Sequence, residues 1–445
     1  MDAEQIRSLE PRLVSYLKQF DDCFSRSDTR EHLGVVVRGQ MSDLPRKNAE
    51  PIADAAEMPP RTLQQFFSLL KWDHSKMRDT VQKLVAKDHA DGNSIGLIDE
   101  TSCAKKGTKT PGVQRQWCGS TGKKDNCVVT VHLGYAADDF HCLLDSELFL
   151  PESWSNDRER CRKAWIPDAM VHRTKPDIAL ELHARATANG VKFGWLTFDE
   201  GYGRSTDFLE KLRARGQKFV AEVPVTFGGW IDVPAVTSEP RNGNSEGPVK
   251  PRLVRGSAPS RCVRDHLAES PALRDQAWEP WHVKDGAKGP MVWEAKRVWF
   301  YPNGPDGVPL EPVHLIVARN VLEPEVVKFF VAGAPRETSL GVLLHVAFSR
   351  WRVERCFEDE KTELGFDHFE GQSYVGLMRH QIVAMVTHLF LAKMCLDCRG
   401  EKSGADRVPS ADGGGRSGPV VVAERVRGKN ADRVRRCQDR KNAAA

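Results

Sequence analysis

The hydrophobic residues at the start of the chain recur with the period of an α-helix. One apolar face is formed by residues spaced three or four apart: Ile6, Leu9, Leu13, Tyr16, Leu17 and Phe20. Two prolines open a helix over residues 59–70, and Asp73 can cap another that runs to about Lys87. We therefore predict an N-terminal helical domain over residues 1–90.

The two predicted helices on either side of Asp73 meet at a short turn. This arrangement is typical of a helix-turn-helix that binds DNA. Two short helices that pack together without contacting DNA produce the same pattern, so both interpretations stay open at this point.

The pattern then changes to short alternating or β-branched segments. IGLID, VVTVHLGY and LLDSELFL each predict a strand, because apolar residues alternate or cluster between polar turns. A helix follows from about Asp177, and it ends at Asn189 and Gly190, which form a good left-handed cap.

Two further strands and one helix complete this part of the chain. KFGWLTF predicts a strand, Ser205 or Thr206 caps a helix that Gly216 closes, and FVAEV predicts the last strand. The predicted order of elements is β-β-β-α-β-α-β. That is the order of the ribonuclease H-like fold, an α/β fold in which a mixed sheet carries flanking helices on both faces.

Residues 224–338 interrupt this order with sequence rich in Pro, Gly and Trp. They contain the strand-like segments MVWEAKRVWFY, PVHLIVAR and EVVKFFVA, so we predict a β-rich insertion. The last helix of the fold is predicted to return at about Ser339 and to run through Lys361. A strongly apolar helix from Tyr374 to Met394 is predicted to pack against it.

Five predicted segments follow from these patterns. They are an N-terminal helical domain (1–90), the first part of the catalytic domain (91–223), the β-rich insertion (224–338), the returning catalytic helix with its packing helix (339–399), and a basic, disordered tail (400–445). The tail has little apolar content and holds 11 Lys and Arg against 6 Asp and Glu.

Three acidic residues occupy positions where this fold order brings them together. Asp99 ends the first predicted strand, and Asp199 immediately follows the fourth. Because those strands are neighbours in the fold, both carboxylates face one cleft. Glu354 lies on the returning helix, where Arg350 and Lys361 share its face.

Each acid also has a simpler explanation. An Asp at a strand end often forms a turn, and Glu100 directly after Asp99 is a rival for the first position. Glu354 and Arg350 could form a surface pair, but Arg before Glu is the poorer orientation for such a pair. Arg, Glu and Lys aligned on one apolar stripe fit better where phosphate and metal are held together.

Charge and composition narrow the classes of protein. Outside the tail, 54 Lys and Arg face 55 Asp and Glu, so binding of nucleic acid would require local basic surfaces. No run approaches 18 uninterrupted apolar residues, and the N-terminus is acidic and polar, so we expect a cytoplasmic protein without a membrane partner. The eleven cysteines are expected to be reduced thiols.

Two other sites suggested by short motifs fail on their residues. GSTGKKD resembles a phosphate-binding loop, but Trp117 replaces its first glycine and Lys124 replaces its Ser or Thr. Cys395 and Cys398 have the spacing of metal ligands, yet no second pair accompanies them.

Several motifs together resemble those of one family. LIDETSCAKKG, LTFDEGYG and RWRVERCFEDEK resemble the three acid motifs of the DDE transposases of bacterial insertion sequences, and the last has the form Arg-x3-Glu-x6-Lys. GQMSDLPRKNAEPIA and LPESW resemble the subgroup that carries a β-strand insertion before the last acid. The resemblance spans roughly residues 30–395.

The resemblance implies a metal-dependent site. It implies that Asp99, Asp199 and Glu354 bind two Mg2+ or Mn2+ ions. It also implies that Arg350 and Lys361 contact the DNA backbone or the scissile phosphate. Tryptophans of the insertion are expected to stack on an unpaired base at the transposon end; the candidates are Trp278, Trp281, Trp293 and Trp299.

The function implied is that of a transposase. It would catalyse DNA cleavage and strand transfer at the terminal inverted repeats of an insertion sequence, with transposon ends and target DNA as partners and a homodimer as the active complex. The alternatives are a ribonuclease H-like nuclease without strand transfer, and a catalytically decayed or truncated DNA-binding relative. Ala347 favours the latter, because similar signatures have a tyrosine there.

Overall fold

A computed structural model of the chain describes residues 3–89, 92–239, 250–286 and 289–403. These residues divide into two compact units. Unit 1 comprises the described residues up to Lys218 together with those from Ser349 onward. Unit 2 comprises the described residues of Phe219–Phe348.

The beginning of unit 1 is helical, and its helices lie in the same compact unit as the sheet that follows them in the chain. Its helices are α1 (Ala3–Leu17), α2 (Ser27–Met41), α3 (Ala49–Ala55), α4 (Pro60–Ser68) and α5 (His74–Asp88), with a 3-10 turn at Lys18–Cys23. The predicted cap of α5 is confirmed, since the Asp73 carboxylate accepts a hydrogen bond of 2.8 Å from the Lys76 backbone N–H. Helix α4 packs against α2 and α3.

Strands and helices alternate in the next part of unit 1. The elements are β1 (Ile95–Ala104), β2 (Gln114–Cys118), β3 (Lys123–Ala137), β4 (Phe140–Leu148), α6 (Glu152–Ser155), α7 (Arg158–Lys163), α8 (Lys175–Ala188), β5 (Trp195–Phe198), α9 (Glu200–Gly203) and α10 (Thr206–Ala214). Ser205 caps α10 through its hydroxyl. Gly190 and Gly216 adopt the positive φ angles of 91° and 69° that their positions after helix ends require.

The sheet of unit 1 is mixed, which confirms the predicted fold class. Strand β1 pairs with β3 in the antiparallel sense and with β5 in the parallel sense. Strands β2 and β4 both pair with β3, in succession along its length. The predicted strand IGLID is longer than expected, because β1 continues five residues beyond Asp99 to Ala104.

Helices cover both faces of this sheet. Successive side chains of a strand point to opposite faces, and β4 shows the result at two adjacent residues. The Asp145 carboxylate bonds to Arg185 of α8, whereas the Ser146 hydroxyl bonds to Gln381, which lies in the C-terminal helical part of unit 1. The sheet is therefore flanked by helices on each side, as in the ribonuclease H-like fold.

Unit 2 is dominated by antiparallel strands. Its elements are β6 (Phe219–Val223), β7 (Gly228–Trp230), β8 (Val236–Thr237), β9 (Arg252–Leu253), β10 (Arg261–Cys262), α11 (Val263–Glu269), α12 (Pro271–Arg274), β11 (Glu279–Gly286), β12 (Gly289–Pro302), β13 (Val313–Asn320), β14 (Val327–Gly333) and α13 (Leu340–Phe348). Strands β12, β13 and β14 are the three that the sequence predicted. They pair in that order, and β6 adds to β14.

The returning helix differs from its prediction. A single helix from Ser339 to Lys361 is wrong, because the helical run is interrupted at Ser349 and Arg350 and resumes as α14 (Trp351–Thr362). The backbone N–H groups of Arg352 and Val353 donate to carbonyls only three residues back. This tighter turn separates the helix that carries Glu354 from α13.

The last described element of unit 1 is α15 (Tyr374–Ser403), which contains the predicted packing helix. Among the described residues, its Tyr374–Cys398 portion is long and apolar enough to cross a membrane by length and composition alone. Of that window 61% is buried inside the protein. Helix α15 packs against β4 and against α2, α4 and α5, as expected for a core helix. The predicted disordered tail lies outside the described residues from position 404 onward.

Candidate active site

Two of the predicted acids come together at one end of a parallel strand pair. The parallel register of β1 and β5 runs from Ile95 opposite Trp195 to Ile98 opposite Phe198. Asp99 is the next residue of β1, and Asp199 directly follows the end of β5. Asp199 also caps α9, where its Oδ1 accepts a hydrogen bond of 3.0 Å from the Gly201 N–H. The fold thus places both carboxyl groups at the same edge of the sheet.

Helix α14 brings the third acid to this edge through an arginine. The Arg350 guanidinium donates to Asp99 Oδ2 over 3.2 Å and to Glu354 Oε1 over 2.7 Å. Farther along the helix, Lys361 Nζ donates to Thr101 Oγ1 over 2.6 Å. Asp99 and Thr101 lie on the same face of β1, because they are two residues apart. Helix α14 and the residue before it therefore lie along the face of β1 that carries Asp99.

Burial dominates the electrostatics of the two strand-end acids. It raises the pKa of Asp99 to about 7, against the opposing effect of the Arg350 charge and with a further increase from Asp199. Burial also raises the pKa of Asp199, and the neighbouring Glu100 adds to that increase. Glu354 differs, since 58% of its side chain is exposed. The charge of Arg350 therefore only partly offsets the cost of ionising these two partly buried carboxyl groups.

The rival acid Glu100 has its own partners on the other side of the sheet. It forms an ion pair with Lys175, the first residue of α8, and its Oε2 accepts a hydrogen bond of 3.1 Å from the Tyr202 hydroxyl. As the neighbour of Asp99 on β1, it points away from α14. Sequence analysis missed Lys175 and Tyr202, although the position of Tyr202 in LTFDEGYG was a signal.

A histidine under α14 was also missed. His132 of β3 stands opposite Asp99 in the antiparallel register. Burial, with the nearby charge of Lys361, lowers the pKa of His132 to about 3, and its Nε2 lies 2.8 Å from Thr130 Oγ1. Its ring packs edge-on against Phe357 of α14. The strand segment VVTVHLGY already contained it at a buried position.

The donor set fits hard divalent cations. Carboxylate oxygens are the ligands that Mg2+ and Mn2+ prefer. Burial outweighs the charge of Arg350 at both Asp99 and Asp199, which favours a further nearby cation. Within the described part of the chain, however, no three His, Cys, Asp or Glu side chains are already arranged around one metal position. The Arg350 guanidinium lies between Asp99 and Glu354, and it must move before both can bind one ion.

The tryptophans predicted to contact DNA belong to unit 2. Trp293 is only 6% exposed, and its ring packs 5.0 Å from that of Phe348. Trp299 is partly exposed and lies 4.8 Å from His314, with the Arg336 guanidinium above its ring. Of these two side chains, Trp299 is the more accessible to a ligand.

The architecture defines a class of protein. A mixed sheet flanked by helices, with acids at the ends of neighbouring strands, is that of the ribonuclease H-like nucleases. Within this class, the DDE superfamily endonuclease family matches residues 19–290, more than half of the chain, and the chain belongs to this family. The matched residues include Asp99 and Asp199 and end before Glu354.

A curated relative is similar over a shorter region. The chain is 34% identical over 189 residues to the probable transposase for insertion sequence element IS701 of Microchaete diplosiphon. The aligned region is 42% of this chain and 46% of the relative, so the chain spans about half the length of that protein. The motif resemblance to the DDE family is confirmed.

Proposed function

We propose that this protein is a transposase that cleaves DNA and transfers strands at the terminal inverted repeats of an insertion sequence. The observation that carries the proposal is the position of Asp99 and Asp199 at the end of one parallel ladder, with Glu354 linked to Asp99 through Arg350. Membership of the DDE superfamily endonucleases supports the reaction class, and the IS701 relative supports transposition.

Asp99, Asp199 and Glu354 would hold two Mg2+ or Mn2+ ions. Such ions activate the attacking water or 3′-hydroxyl and stabilise the leaving oxygen of the phosphodiester. The geometry favours Asp99 over Glu100 as the first ligand, because Glu100 is engaged by Lys175 and Tyr202 on the opposite face of β1.

Arg350 and Lys361 are proposed to bind the DNA backbone. Arg350 bonds to two of the acids, and Lys361 bonds to Thr101, two residues after Asp99 on β1. Arg350 thus lies at the carboxylates, where a scissile phosphate has to be positioned, and Lys361 lies farther along the same face of β1. A guanidinium binds a phosphate with two parallel hydrogen bonds, whereas an ammonium acts as a point charge.

The partners proposed are double-stranded DNA, as transposon ends and target, and a second copy of the chain in the active complex. Trp299, and Trp293 after a rearrangement that exposes it, are proposed to stack on a base at the transposon end. We place the activity in the cytoplasm, at the nucleoid, without a membrane partner.

Cleavage and joining are tested together on DNA. Purified protein is incubated with labelled duplexes that carry the inverted repeats flanking its own coding sequence, with a supercoiled plasmid as target. With Mg2+ or Mn2+ we expect nicking that leaves a 3′-hydroxyl, followed by its covalent joining to the plasmid; EDTA should abolish both.

Other outcomes of this assay would favour a nuclease or a DNA-binding protein without catalysis. Cleavage without joining would identify a nuclease, a function that the same acids can support. Binding of the ends without cleavage in any divalent metal would identify a DNA-binding relative that has lost catalysis, and would overturn the proposal.

When metal is removed, the stability of the protein should depend on pH through the ionisation of Asp99. Because the folded-state pKa of about 7 lies above the unfolded value, the contribution of this group to stability is complete below about pH 4. It is lost as the pH rises through 7. In EDTA, wild type should therefore lose up to about 2 to 3 kcal/mol relative to Asp99→Asn between pH 5 and pH 8.

Urea unfolding of both proteins at the two pH values measures this difference. Addition of Mg2+ at pH 8 should then stabilise wild type more than the variant, because a cation compensates the ionised Asp99. Parallel pH profiles for the two proteins in EDTA would contradict the expectation.

A further inference from the structure

A β-hairpin continues the pairing of β3 past the last residue of β1, and its turn folds back onto β1 at Ser102. Its strands β2 and β3 pair from Gln114 opposite Cys127 to Cys118 opposite Lys123, whereas β1 leaves the sheet at Ala104, also opposite Cys127. We call residues 114–127 the hairpin. Most of its residues between these ends are exposed or partly exposed.

The hairpin and the loop before it form a concentrated basic surface. Residues 104–127 contain six Lys and Arg against one Asp, a net charge of +5, whereas the whole chain has a net charge of +4. The basic residues are Lys105, Lys106, Lys109, Arg115, Lys123 and Lys124, and all except Lys105 are exposed. The Asn126 side chain donates to the carbonyls of Lys105 and Gly107, which holds the loop against the hairpin.

Trp117 lies on this basic surface, between Arg115 and Lys124. Its exposed fraction of 63% is the highest among the large hydrophobic side chains of the described residues. Trp117 is opposite Lys124 in the antiparallel register, so the two side chains share a face, and Arg115 lies two residues away on the same face. An exposed aromatic ring between two cations suits a base whose flanking phosphates the cations can bind.

The hairpin is anchored beside the candidate active site. The Ser120 N–H in its turn donates to Ser102 Oγ over 3.4 Å, and the Ser102 carbonyl accepts from Lys361 Nζ, also over 3.4 Å. Ser102 is three residues after Asp99, about 10 Å along the strand. With a rise of about 3.4 Å per base pair, that distance corresponds to roughly three base pairs of DNA.

We propose that the hairpin is a DNA-binding element that acts next to the cleaved phosphate. Arg115 and Lys124, on the face of Trp117, bind backbone phosphates within a few base pairs of that position, and Trp117 stacks on a base that has become unpaired there. Lys123 lies on the opposite face, 3.9 Å from Asp125, and adds to the positive charge of the hairpin. The inference rests on the proposed function for the position of the scissile phosphate, but its test does not require cleavage.

Binding is measured in EDTA by fluorescence anisotropy, with a labelled 30-base-pair duplex of arbitrary sequence over a range of salt concentrations. The triple variant Arg115→Gln, Lys123→Gln, Lys124→Gln should reduce the slope of log affinity against log salt by about 0.9 for each phosphate that it no longer binds. The matched control is a triple Gln variant at exposed cations elsewhere in unit 1: Arg162, Lys163 and Lys211. It should keep the wild-type slope.

The role of Trp117 is measured with a second duplex that carries three unpaired thymines. Trp117→Ala should weaken binding to this duplex about tenfold, and binding to the fully paired duplex much less. Trp117→Phe, which keeps an aromatic face, should restore most of the affinity. Unchanged thermal unfolding will show that the variants fold, because the replaced side chains are exposed.

Two results would overturn the inference. One is a hairpin triple variant whose salt slope equals that of the control variant. The other is tighter binding of wild type to an RNA duplex of the same sequence with the same dependence on the hairpin, which would make RNA the partner. If DNA binding depends on the hairpin but the protein never cleaves DNA, the proposed function alone is refuted. If cleavage depends on the three acids but the hairpin variants bind DNA normally, this inference alone is refuted.

Discussion

Replacement of Asp199 by asparagine is expected to reduce metal-dependent DNA cleavage at least about a thousandfold, a loss of several kcal/mol of transition-state stabilisation. The change is nearly isosteric, so the cap of α9 at Gly201 can be kept while the charge is lost. Asp99→Asn and Glu354→Gln should have effects of the same order. The measurement is the single-turnover rate of cleavage of a labelled transposon end in Mg2+.

Matched controls are available beside two of the acids. Glu358 is one helical turn after Glu354 on α14, is similarly exposed, and pairs with Arg355. Glu358→Gln should therefore cleave at close to the wild-type rate. Glu100→Gln tests the rival first ligand, and its effect should be smaller than that of Asp99→Asn. Wild-type cleavage by any variant at the three proposed acids would refute the role of that acid.

Asp145→Ala is expected to destabilise the protein by about 1 to 3 kcal/mol, because it leaves the partly exposed Arg185 guanidinium and the buried Gln82 amide without their carboxylate acceptor. The Asp145 carboxylate is fully buried on β4. It accepts hydrogen bonds from Arg185 Nε over 2.7 Å and Nη2 over 3.2 Å, and one of 3.0 Å from Gln82 Nε2 of α5. The loss is measured as the change in the free energy of unfolding in urea.

The control for Asp145 is an ion pair on the surface. Asp207 and Lys211 of α10 lie 2.6 Å apart and are exposed, so Asp207→Ala should leave the free energy of unfolding nearly unchanged. The double variant Asp145→Ala, Arg185→Ala should lose less stability than the sum of the two single losses. Additive losses, or a loss for Asp145→Ala no greater than that for Asp207→Ala, would show that Asp145 and Arg185 are not coupled.

The sequence predicted secondary-structure elements correctly where one local pattern, such as alternation of apolar residues or a helix cap, was strong. Alternation and β-branching identified β1, β3 and β4, and the caps at Asp73 and Ser205 were correct because a short side chain satisfies local backbone N–H groups. Strand β2 escaped prediction, since QRQWC is mostly polar and only its last residue is fully buried. The break at Ser349 leaves no composition signal, because no Pro or Gly marks it.

The candidate site was predictable in position and not in detail. Asp99 and Asp199 followed from element order, because parallel neighbours end at the same edge. The bridging of Asp99 and Glu354 by Arg350 depends on where α14 lies over β1, which is a tertiary relation without a local signal. The partners of Glu100 come from α8 and α9, far from it along the chain.

The alternation along β1 makes this strand intolerant of changes in its length. Asp99 and Glu100 are both acids, yet Asp99 bonds to Arg350, directly before α14, and Glu100 pairs with Lys175 at the start of α8. Deleting a single residue between Ile95 and Asp99, with the pairing to β5 retained, would exchange the two acids between the faces of the sheet. The amino-acid composition would be almost unaltered, but Asp99 would lie on the face of the sheet that contacts α8 and no longer on the face that contacts α14. Lineages of this protein should therefore hardly ever vary in length within β1.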